Sequence, residues 1–73
     1  MTPTQEQRFF KSFGKKVKKL RVDKGLSQED MIEHGFSYRF YQRIEAGKPI
    51  HLKTAVKLSI AFKLKLSELF KGL

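Results

Sequence analysis

Cysteine is absent from the 73 residues. Neither disulfides nor thiolate zinc sites can therefore brace the fold. The two histidines, His34 and His51, are too few for a convincing metal site, and no cofactor is expected. No apolar run is long enough to span a bilayer. The opening Met1-Thr2-Pro3-Thr4-Gln5 lacks the basic-then-apolar order of a signal peptide, so the expected location is the cytoplasm. Acidic residues are scarce: seven Asp and Glu face sixteen Lys and Arg, a net charge of +9. That imbalance predicts an anionic partner, whether nucleic acid, an anionic membrane surface or an acidic protein. No cluster combines a nucleophile, a base and an orienting group, so no enzyme is expected. A chain this short forms one domain, residues 1–73, with a marginal core. Packing or a partner subunit must supply its stability.

What is present is helical periodicity punctuated by Gly and Pro. Phe10, Phe13, Val17 and Leu20 recur at helical spacing and predict a first helix ending near Gly25. Its start reads equally as a Thr4–Gln7 capping box or as a Thr2 cap with Pro3 in the first turn. Gly14 inside it implies a close approach by another element. Most of the lysines of this helix read as a solvated face. Ser27 to His34 reads as a second helix, capped by Ser27, with Met31 and Ile32 facing inward. Ser37 to Ala46 reads as a third, capped by Ser37 and stopped by Gly47. At roughly 100° per residue, Phe40, Tyr41 and Ile44 group on its apolar side; Phe40 reads either as core, the preferred place, or as a residue at the boundary of the binding surface. Tyr38, Arg39, Gln42, Arg43 and Ala46 group on the other. A fourth helix, from about Leu52 to Lys63, presents Leu52, Ala55, Val56, Ser59 and Phe62 inward, leaving Leu58 and Ile60 outside. A short fifth has Leu66 as staple and Ser67 as cap and ends at Gly72. The fold class is all-α, a compact five-helix bundle.

Four segments carry a resemblance. Phe13 to Arg21 resembles the first helix of the Cro/cI-type (XRE) helix-turn-helix family. Gly25-Leu26-Ser27-Gln28-Glu29-Asp30 resembles the opening of that family's second helix. Arg43-Ile44-Glu45-Ala46-Gly47-Lys48 resembles the end of its recognition helix, and Leu64 to Phe70 its closing helix. The match spans Phe13 to Phe70. It implies a lambda-repressor-like DNA-binding domain and a homodimer that inserts its third helix into the major groove. Gln28 and Ser37 would touch phosphate. Tyr38, Arg39, Gln42 and Arg43 would face the bases, and Lys48 would lie beside a phosphate. Arg21 and Glu45 match a structural ion pair. Two departures stand out: the segment Met31 to Phe36 is one residue shorter than usual in the family, and the loop Lys48 to His51 is also short.

The residue types suit that task. Arg fits the O6/N7 edge of guanine and Gln the N6/N7 edge of adenine, each pair worth about 1–3 kcal/mol of discrimination. Tyr38 suits a thymine methyl or a phosphate. Lysines elsewhere add affinity without sequence information. Ile60, Leu69, Phe70 and Leu73 are the expected dimer contacts, because a single small domain reads few base pairs. The expectation is thus a bacterial or phage transcriptional regulator acting on a double-stranded operator. Repression would need only occlusion, and activation a contact with RNA polymerase. Its competitor is a protein-interaction module on the same fold, such as an antitoxin or adaptor. With nothing beyond Leu73, no separate toxin-binding tail is expected. A membrane-active peptide would explain the basic first helix but not the capped helices after it.

Overall fold

A computed structural model describes all 73 residues as five helices: α1 (Pro3–Asp23), α2 (Asp30–Glu33), α3 (Tyr38–Glu45), α4 (Leu52–Phe62) and α5 (Leu66–Leu69). There is no strand. No helix is long and apolar enough to cross a membrane.

Local chemistry sets the ends of these helices. Thr2 caps α1: its hydroxyl accepts from the Gln5 amide at 3.1 Å, and the Gln5 side chain accepts from the Thr2 amide at 2.8 Å. Of the two starts left open above, the one with Pro3 at the first helical position is realised. There the missing N–H costs nothing. Ser37 caps α3 by accepting from the Phe40 amide at 3.2 Å. The ends of α1 and α3 share a pattern. Leu26 N–H donates to Arg21 C=O and Gly25 N–H to Val22 C=O; Lys48 donates to Arg43 and Gly47 to Ile44. These are Schellman closures, with glycine at the left-handed residue.

Three element readings are corrected. The second helix is only one turn. Ser27 Oγ accepts from the Asp30 amide and the Asp30 carboxylate accepts from the Ser27 amide. This reciprocal pair holds a turn over Gln28–Glu29, and the helix begins after it. One turn can aim one large side chain inward, and Met31 takes that place; Ile32 is exposed. In α4 the buried stripe is Thr54, Ala55, Leu58, Ser59 and Phe62, while Leu52 and Val56 are exposed. Apolar residues occur nearly all round this helix, so its phase was ambiguous in sequence. At the end of the chain, the Glu68 carboxylate accepts from the Lys65 amide at 3.0 Å. The helix therefore starts one residue before the expected cap, Ser67.

The core comprises Phe13 and Val17 of α1, Met31 of α2, Phe36, Tyr41 and Ile44 around α3, Ala55, Leu58 and Phe62 of α4, and Leu69 of α5. Helices α1 and α3 cross at Gly14. A Cβ there would lie 2.7 Å from the backbone oxygens of both Ile44 and Glu45. Gly14→Ala is therefore expected to destabilise by about 1–3 kcal/mol, despite alanine's better helix propensity. Thermal unfolding checks this. An unchanged or raised Tm would mean that the crossing is looser than described.

Two lysines serve the fold. Lys16 Nζ donates to the Glu68 carbonyl at 2.7 Å and to the Lys71 carbonyl, satisfying acceptors at the end of α5. Lys57 donates to the Gly35 carbonyl and sits 4.8 Å from the centre of the Phe36 ring, tying α4 to the turn before α3. Lys16 thus stands apart from the other lysines of α1, Lys11, Lys15, Lys18 and Lys19, which are exposed as expected.

Candidate nucleic-acid interface

The eight residues of α3 divide by charge and burial. Tyr41 and Ile44 are buried. Tyr38, Arg39, Gln42 and Arg43 are exposed on the opposite side. Neither arginine takes part in an ion pair. Ser37 opens this surface, and Lys48, also exposed, follows the helix. The structure thus groups the predicted base-facing residues on one helix face between Ser37 and Lys48.

The only acid of α3, Glu45, is turned away. Arg21 Nε donates to Glu45 Oε2 at 2.7 Å and Nη2 to Oε1 at 3.4 Å, while Nη1 donates to the Leu26 carbonyl at 2.8 Å. The two side chains are 10% and 7% exposed. Arg21 and Glu45 therefore form the expected structural pair. A carboxylate at a helix C-terminus opposes the helix dipole, so its position is explained by Arg21 rather than by α3. Burial pushes the Glu45 carboxyl up, but the hydrogen bond and charge of Arg21, with the nearby Tyr41 hydroxyl and the Gln28 amide, outweigh it and hold the group below its usual range. The Glu45 bond in turn raises the Arg21 guanidinium.

Gln28 lies between this pair and the exposed face. Its Nε2 donates to Glu45 Oε1 at 3.1 Å, and its Oε1 receives a longer bond, 3.5 Å, from Gln42 Nε2. Ionised Glu45 only accepts, so it fixes which end of the Gln28 amide faces Gln42. Both ends of the Gln28 side chain are engaged within the chain, whereas the resemblance implied a phosphate contact. Gln42 keeps one amide N–H and its carbonyl free, the pair that adenine requires.

The Tyr41 hydroxyl is buried without a hydrogen-bond partner. Burial pushes this phenol well up. Removing an unpaired buried hydroxyl removes only its desolvation cost. Tyr41→Phe is accordingly expected to leave stability unchanged or raise it by up to about 1–2 kcal/mol. A clear drop in Tm would reveal a bond between this hydroxyl and Glu45.

Two site readings are corrected and two features are new. Phe40 is 42% exposed rather than core. It stacks on the Phe36 ring, with centroids 6.5 Å apart, and lines a cleft of about 350 Å³ with Lys53, Thr54 and Lys57. Position N3 of a capped helix faces partly along the surface, so the apolar side chain ends at the edge of the core. Lys53 at the start of α4 thereby extends the basic surface beyond α3. Its location was invisible in sequence because the α4 phase was wrong. Among the expected dimer contacts, Leu69 is fully buried in the core and unavailable. Ile60 and Leu73 are exposed and Phe70 half-buried. The second new feature is an apolar groove of about 210 Å³ between α1, the start of α4 and Phe70.

Comparison of the chain with protein-family models, curated proteins and solved structures returns no significant match.

Proposed function

We propose that the chain is a sequence-specific, double-stranded-DNA-binding transcriptional regulator that inserts α3 into the major groove. The observation that carries this reading is the exposed face of α3. It presents Tyr38, Arg39, Gln42 and Arg43 with no carboxylate among them, and its one acid is withdrawn onto Arg21. A helix with its side chains is about 10–12 Å across and the major groove is about 12 Å wide. Arg39 and Arg43 offer two-pronged donors to guanine, Gln42 an oriented amide to adenine, and Tyr38 a ring for a thymine methyl or a hydroxyl for phosphate. Ser37, Lys48 and Lys53 flank them and suit backbone contacts, which set register without reading sequence. On this reading α2 and α3 form a helix-turn-helix, in agreement with the resemblance to the Cro/cI-type family. The role is binding rather than catalysis. As a homodimer in a bacterial or phage cytoplasm, the protein would act by occluding a promoter, with any activation requiring contact with polymerase.

The net charge of +9 supports duplex binding in general but would serve any polyanion. The test is therefore positional. In an NMR titration of the labelled protein with duplex DNA, amide shifts are expected to concentrate at residues 37–43, Lys48 and Lys53. Shifts spread over the lysines of α1, with α3 unmoved, would overturn the reading. They would favour the interaction-module alternative, with DNA as a nonspecific counterion.

A further inference from the structure

Phe40 is the one exposed side chain of α3 that the four proposed base readers leave out. It is held in place at both ends. Its amide donates to Ser37 Oγ at 3.2 Å, which fixes the backbone in the first turn. Its ring stacks on Phe36, the planes 11° apart and the centroids 6.5 Å apart. Phe36 is itself buried, with Tyr41 edge-on at 5.8 Å and Lys57 Nζ 4.8 Å from the ring centre. A ring seated on such a platform is pre-organised and gives up little rotamer freedom on binding.

Its surroundings say what the ring can meet. Three residues from Arg43, Phe40 stands about 60° round the helix from it. The cleft that it lines with Lys53, Thr54 and Lys57 contains no acid. Lys57 is engaged by the Gly35 carbonyl, whereas Lys53 takes part in no ion pair. Phe40 therefore lies between an arginine that faces bases and a lysine that suits a phosphate.

A phenyl ring carries no strong donor or acceptor, so it selects apolar groups. On the base edges of the major groove the thymine C5 methyl is the group of that kind. The methyl lies on the backbone side of the O4 acceptor, along the wall of the groove. That wall is the strip between a base met by Arg43 and a phosphate met by Lys53. We propose that Phe40 is a further specificity-determining residue, its ring packing on a thymine methyl beside the base that Arg43 reads. The proposal rests on the regulator reading and extends it to a fifth side chain of α3. Because uracil lacks the methyl, the same contact favours DNA over RNA.

The test uses the whole chain and the duplex it selects from a random pool. Each thymine is replaced in turn by deoxyuridine, which removes the methyl and keeps every hydrogen-bonding atom. At one thymine per half-site, next to the base whose identity depends on Arg43, the replacement is expected to weaken binding about three- to fivefold, the effect of one buried methyl. Phe40→Ala should bind the two duplexes alike, and Phe40→Leu should restore part of the difference. Tyr38→Ala should leave it unchanged at this position. A site that tolerates deoxyuridine at every thymine overturns the proposal and puts the ring against deoxyribose. A methyl effect that survives Phe40→Ala overturns it too. Should Phe40→Ala fold poorly by circular dichroism, the complex of the unaltered protein decides. A nuclear Overhauser contact between the Phe40 ring and a thymine methyl is expected there, and its absence contradicts the proposal. A pool that yields no preferred duplex removes the regulator reading and this proposal together. A preferred duplex indifferent to its methyls removes the role of Phe40 alone.

Discussion

Glu45→Ala is expected to destabilise the protein by about 3 kcal/mol, the low end for breaking a buried ion pair. The low end applies because the pair lies at the edge of the core, its side chains 10% and 7% exposed. The loss is large because the substitution strands Arg21, whose guanidinium keeps only the Leu26 carbonyl. It also removes the acceptor that holds Gln28. A chain of this length has roughly 4–11 kcal/mol in total, so the variant should unfold at a markedly lower denaturant concentration. Replacing both partners, as Arg21→Met with Glu45→Leu, should cost less than Glu45→Ala alone, because no charge is then left buried and unpaired. Chemical denaturation of the three proteins checks the order. A double variant worse than the single would mean that the pair's hydrogen bonds, not the stranded charge, dominate.

The same pair gives stability a pH dependence. The folded Glu45 carboxyl titrates below its ordinary value of 4.5, so the unfolded chain binds the proton more readily. The stabilisation is complete above that value and is lost as pH falls through it toward the folded value. Asp30, lowered by its bonds from the Ser27 amide and hydroxyl, adds to the same acid limb. Glu45→Gln should flatten part of that limb and leave the Asp30 share.

The second large effect concerns α3. Arg43→Ala should cost about 1–3 kcal/mol on the preferred duplex and relax the preference at one base position. Lys48→Ala should weaken all duplexes alike and lower the salt slope by about one. The contrast follows from their places. Arg43 lies on the exposed face of the helix, and Lys48 follows the Schellman closure at Gly47. Binding isotherms of both variants on a panel of single-base changes separate the two roles. Equal, sequence-blind losses would remove Arg43 from base reading.

Much of this arrangement was legible in the sequence where local chemistry dictates it. Ser37, Gly25 and Gly47 mark helix ends because capping and left-handed backbone demand those residue types. The face of α3 followed from alternation of charge with Tyr41 and Ile44. The Arg21–Glu45 pair came only through the family resemblance, since residues so far apart carry no local signal. Periodicity failed where a helix is apolar on more than one side. In α4 the row Leu52–Val56–Ile60 is as hydrophobic as the buried stripe, and only tertiary packing against α5 separates them. The groove was hidden for the same reason: Phe9, Ile50 and Phe70 lie in three segments. The bonds of Gln28 were invisible in sequence because its partners, Glu45 and Gln42, belong to another helix.

The central claim is that the exposed face of α3 reads duplex sequence. It is tested most directly by selecting bound duplexes from a random pool and footprinting the winners. The account predicts enrichment of a two-fold symmetric site with half-sites about one helical turn apart. It further predicts guanine or adenine contacts that change with Arg39, Gln42 or Arg43, and affinity that falls with salt. A pool that stays random, bound only weakly and released by modest salt, would contradict it.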